Sequence, residues 1–159
     1  MMIRRIALPA ALMTAVALFT ITTTMHAEEE SAPGGMTPVL TTFSLMDYLF
    51  DPPFEVLESA LESEPEDRRG WRDIRQSSET LAEVTNLLLI RDDLDYTGSD
   101  EWKSMTADMR KAAEGVAEAS KTQDYAEAMT SFTALVQSCN ACHAHFEPNT
   151  APLFPVPGE

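Results

Sequence analysis

The chain has 159 residues, enough for one domain with a real core and too few for two. Its 11 basic and 26 acidic residues give a net charge of −15. A chain so acidic repels nucleic acid and anionic membrane, which excludes both as binding partners.

Residues 1–27 read as a secretion signal. Arg4 and Arg5 make a basic start, and Ile6 to Ile21 form an apolar run broken by Pro9, Thr14 and Thr20. Ala27 offers a small-residue exit, although Met25 would then hold the minus-three position, where a small residue is usual. The apolar run is shorter than the ~20 residues a membrane span needs. Cleavage near Ala27 is therefore expected, leaving no membrane span and a protein of the periplasm. It would remove two arginines and no acid, taking the net charge from −15 to −17. A field of that sign steers basic partners.

Residues 28–42 are acidic, then rich in Gly and Pro, and predict a flexible lead-in. Four helical stretches come next. In the first, about 43–62, Met46, Leu49, Pro53, Val56, Leu57, Ala60 and Leu61 fall near one face. Pro52 and Pro53 interrupt it. Either the helix kinks there, or its regular part starts after Asp51 with Pro52 at the first helical position. The second stretch, about 66–91, carries Trp71, Ile74, Ser78, Leu81, Thr85 and Leu88 at alternating spacings of three and four.

The third stretch, about 100–121, opens on a Ser99 cap, with Asp100 and Glu101 at the positive end of its dipole. Trp102, Met105, Met109, Ala112, Val116 and Ala119 make its stripe, and its alanines predict close approach of a neighbour. The fourth, about 125–147, opens on Asp124 with Glu127 three residues later. Residues 148–159 hold four prolines and predict an extended tail. No stretch shows sustained two-residue alternation. The expected fold is all-α, an up-down-up-down antiparallel four-helix bundle over residues 43–147.

Cys139-Asn140-Ala141-Cys142-His143 has the form C-x-x-C-H, the attachment motif of haem c. On a helix, spacings of three and four point Cys139, Cys142 and His143 the same way. Two sulfurs can then take the two vinyl groups along one haem edge, and the imidazole can reach the iron. A redox C-x-x-C usually opens a helix in a βαβ unit, whereas this one closes a helix in an all-helical chain. A zinc site wants four ligands, and after the signal the chain offers only two cysteines and two histidines in one short span. One motif means one covalent haem c and one iron. His145 points about 200° away from His143 around the helix and is expected at the surface.

From residue 43 to 147 the chain resembles the class II c-type cytochromes, cytochrome c′ and cytochrome c-556. The resemblance rests on export, four helical stripes and one haem motif late in the last helix. In that family an aromatic and then a basic residue often follow the motif after two positions. Phe146 fits and Glu147 departs. The resemblance implies that the first helix supplies the residue facing the far side of the haem. A ligating methionine there makes an electron carrier. A non-ligating residue leaves a site for nitric oxide or carbon monoxide.

Met46 is the candidate sixth ligand. It stands near the start of the first helix, and in this topology that start lies beside the end of the fourth, where His143 is. Tyr48 and Phe50 could crowd the same face. Arg72, Arg75 and Arg91 could meet haem propionates, although ordinary surface pairs are the expectation. The function expected is electron transfer through a His143/Met46-ligated haem, without enzymatic chemistry. The partner expected is a redox protein with a basic docking patch, and the resemblance makes a homodimer through the first two helices a candidate assembly. Five-coordinate gas binding is the alternative.

Overall fold

The computed structural model describes residues 35–149 and 153–158. The predicted signal, residues 1–27, lies outside the described residues, as does the lead-in up to residue 34. Among the described residues there is no strand, and no helix is long and apolar enough to cross a membrane. The helices are α1 (Thr42–Leu45), α2 (Asp51–Leu61), α3 (Arg68–Thr85), α4 (Asp100–Thr122) and α5 (Tyr125–Phe146). A π-helical segment, Met46–Phe50, joins α1 to α2 into the first helix of a four-helix bundle.

The prolines explain that segment. Pro52 has no N–H, and its ring would meet the carbonyl four residues back, that of Tyr48. The chain widens by one residue instead: the Asp51 N–H donates to the Met46 carbonyl, five residues back. The helix is therefore not broken, and its regular α part begins at Asp51 with Pro52 in the first turn, as the second alternative expected. It passes through a π turn, a distortion that recurs at functional sites.

Side chains fix the other helix ends. Thr41 caps α1 by accepting from the Ser44 N–H, and Asp67 caps α3 by accepting from the Arg69 and Gly70 N–H groups. Ser99 and Asp124 cap α4 and α5 as their sequences predict. The α3 helix ends at Thr85, earlier than its stripe suggests. Asn86–Ile90 tightens into a 3-10 turn, and the Trp102 indole donates to the Leu88 carbonyl at 2.9 Å. The same carbonyl also accepts from the Arg91 N–H at 3.3 Å, so the indole ties a helix-end acceptor to α4.

Consecutive helices pack against each other, and α2 also meets α5. Near the start of α5, the Tyr125 hydroxyl donates to the Leu61 carbonyl at the end of α2. Midway, the rings of Phe54 and Phe132 lie 5.9 Å apart. At the other end stand Met46 and His143. The first and last helices therefore run antiparallel, as an up-down-up-down bundle requires. The core centres on Leu57, Ile74, Leu81, Val116, Phe132 and Leu135.

Two stripes are rotated from expectation. Val56 is 49 % exposed, because the π turn rotates the part of the helix beyond it. In α4, Thr106 and Ala113 are buried, while Met105 and Ala112 are partly so. The small residues there do admit a close neighbour. A Cβ on Gly115 would stand 2.7 Å from the Ser131 hydroxyl of α5.

Candidate haem site

The start of the first helix and the end of α5 enclose a cavity of about 250 Å³. The α5 helix contributes Leu135, Cys139, Cys142, His143 and Phe146 to its wall. Their spacing of three and four on one helix puts them on one face, as the motif predicted. The first helix contributes Met46, Phe50 and Phe54. Trp102, Met109 and Leu81 close the floor. The four predicted site residues, Cys139, Cys142, His143 and Met46, thus line one space.

The chemistry of the donors fits covalent haem. Both thiols are free; Cys142 is buried and Cys139 partly so. Burial, then the neighbouring Cys142, push the Cys139 thiol up to about 12, and burial pushes Cys142 up to about 11. A redox C-x-x-C works through a thiolate whose pKa is lowered. These thiols are held neutral in an apolar wall, where the vinyl edge of a haem would lie. An imidazole one residue on and a thioether on the facing helix complete a donor set for iron.

Long-range polar ties hold the segments around this cavity. The Arg91 guanidinium is buried. It donates from Nε to the Leu87 carbonyl at 2.9 Å and from a terminal nitrogen to the Leu40 carbonyl at 2.5 Å. Arg91 is thus neither a surface pair nor a lining residue; it holds the strand of chain that enters α1. Asp93 accepts from the Thr42 N–H at 2.7 Å and from its hydroxyl at 2.6 Å. Burial pushes the Asp93 carboxyl up, but these two bonds, its own backbone N–H and the Arg91 charge together outweigh it, and the net shift is downward. The Tyr96 hydroxyl donates to Glu147 at 2.7 Å, and the Tyr96 ring stacks on Phe146 at 4.6 Å. A further tie joins Asn140 to Phe154 by two hydrogen bonds.

Charge at the mouth is negative. Asp47, Asp51 and Glu147 line the cavity, and among the described residues no arginine or lysine does. Burial first, then Asp47 and Glu55, raise the Asp51 carboxyl, while His143 pulls it back. Of the arginines that could have met propionates, Arg72 pairs with Asp73 in an exposed contact of 3.4 Å, and Arg75 does not line the cavity. Tyr48 is exposed, whereas Phe50 is buried in the wall, so only one of the two crowds the site. His145 is exposed, as expected.

Sequence reasoning missed Tyr96 and Phe154. Both sit in segments that read as loop or tail, and no periodicity marks a lone aromatic there.

An all-α antiparallel bundle with a haem c attachment motif at the end of its last helix is the arrangement of the class II c-type cytochromes. Residues 96–147 match the family model described as Cytochrome C′, a span that contains the motif and stops short of the first helix. The match supports a c-type haem cytochrome of the cytochrome c′ family, a family that binds covalent haem c with its iron. No curated protein sequence and no solved structure matched the chain. Members of the family are typically exported and generally not enzymes.

Proposed function

We propose that this protein is a periplasmic electron carrier whose haem is attached through Cys139 and Cys142 and ligated by His143 and Met46. The supporting observation is the position of Met46, on the π turn of the first helix, in the wall of the same cavity as His143 and both thiols. When bound, such a haem cycles between ferric and ferrous iron.

The residues around it do the rest. Phe50, Phe54, Trp102 and Phe146 keep the site apolar, which disfavours the more charged oxidised form. Asp47, Asp51 and Glu147 oppose them at the mouth by favouring the oxidised form. Electron transfer of this kind transforms no substrate. The same acids, with the acidic surface as a whole, suit docking by a basic redox partner. Exposed Phe43, Tyr48 and Val56 on the first helix support pairing of two copies through the first two helices.

The family match gives a second reading, a five-coordinate haem that binds nitric oxide or carbon monoxide. In it Met46 is wall, not ligand. One experiment separates the two. With haem attached, the Met46→Ala protein is expected to lose the methionine-to-iron charge-transfer band and to bind carbon monoxide that the unaltered protein excludes. An unaltered protein that is already high-spin and binds the gas would overturn His/Met ligation.

A further inference from the structure

The tail after α5 ought to be idle. It is rich in proline and lies beyond the motif. Residues 153–156 are indeed without regular structure, yet Phe154 and Val156 pack against the core. Phe154 does so at the haem cavity. Its ring lies 4.8 Å from that of Phe54 and 5.8 Å from the imidazole of His143, and it forms part of the cavity wall.

The hold on it comes from inside the attachment motif. The Asn140 amide donates to the Phe154 carbonyl at 2.8 Å and accepts from the Phe154 N–H at 2.7 Å. One planar side chain thereby satisfies both backbone groups of one tail residue, as a neighbouring strand would. Leu153, one residue earlier, is exposed and takes no part in the wall. The contact is therefore specific to one residue, not a general collapse of an apolar tail.

We infer that residues 153–156 form a strap over the histidine side of the haem site, in which Asn140 anchors Phe154 beside His143 and keeps water from it. Phe154 is a positioning residue: it touches the proposed ligand and acts on the iron through it. An apolar ring beside the imidazole limits its freedom to turn and lowers the local dielectric. Both are means by which surroundings tune a metal site. Water at that face would stabilise the more charged ferric state, so the strap raises the reduction potential.

The inference rests on His143 as an iron ligand, and its test uses the haem-bearing protein. Hydrogen exchange at the Phe154 amide reads docking directly. The amide is expected to be protected in the unaltered protein and to exchange at least tenfold faster in Asn140→Ala. Exchange at the unprotected rate in the unaltered protein overturns the strap. The reduction potential reads function. It is expected to fall in Phe154→Ala and to hold in Leu153→Ala, a change in the same tail that spares the wall. An unmoved potential in Phe154→Ala overturns the functional half. Should that variant not accumulate, Asn140→Ala carries the same test, since it frees the ring without removing it; the same fall is expected, and no change overturns the inference. Failure of Met46 ligation appears separately, in the charge-transfer band, and leaves both readouts interpretable.

Discussion

The two ends of this bundle are held by different forces. At the end where α2 meets α3 and α4 meets α5, apolar side chains fill the space between helices, and the long-range bond from Tyr125 to Leu61 assists. At the other end that space is a cavity. Packing cannot fix segments that border an open volume, because the contacts that would hold them are reserved for a ligand. Side chains reach across to backbone or to one another instead, from Arg91 to Leu40, from Thr42 to Asp93, from Tyr96 to Glu147 and between Asn140 and Phe154. A cofactor site thus substitutes directional polar ties for close packing.

Ile74 and Arg91 put that contrast to its hardest test. Ile74→Ala, in the fully buried packed region, is expected to cost about 2–5 kcal/mol in denaturant unfolding and to leave the haem spectrum unchanged. Arg91→Met removes the donor from two carbonyls and is expected to cost about 1.5–3 kcal/mol. It should also alter the spectrum, because the chain leading into Met46 loses its anchor. Equal spectral silence in both variants would break the comparison.

Acid sharpens it further. Asp93 holds its proton less tightly folded than unfolded, so its contribution is present above the unfolded value of 3.8 and is lost as pH falls through the lower folded value. Thermal unfolding followed from pH 6 downward should show an acid loss near and below that value, smaller in Asp93→Asn. An unchanged acid profile in that variant would remove Asp93 from the ties that matter.

The smallest effect belongs to the packed end. Gln123 closes α4 in the left-handed region, at φ 58°, where a side chain is strained. Gln123→Gly is expected to stabilise by about 1 kcal/mol or less, read from the unfolding midpoint, with no effect at the haem.

Much of this molecule is legible in its sequence. Spacings of three and four in α3, α4 and α5 mark helices, Ser99 and Asp124 mark two of their starts, and short connections make consecutive helices antiparallel neighbours. The order C-x-x-C-H on a helix puts two thiols and an imidazole on one side. Each rests on the fixed geometry of a helix, which relates residues close in sequence. The rest depends on residues far apart. That two prolines widen the first helix by one residue is local, but which side of it then faces the core, leaving Val56 outward, is settled by how that helix seats against its neighbours. The same holds for Arg91, whose charge is buried against the carbonyls of Leu87 and Leu40 rather than spent at the surface. It holds most for Phe154, brought to His143 by an asparagine that sequence reading treats as filler. Local periodicity carries no information about which distant backbone a polar side chain will find, so such contacts appear only once the chain has folded.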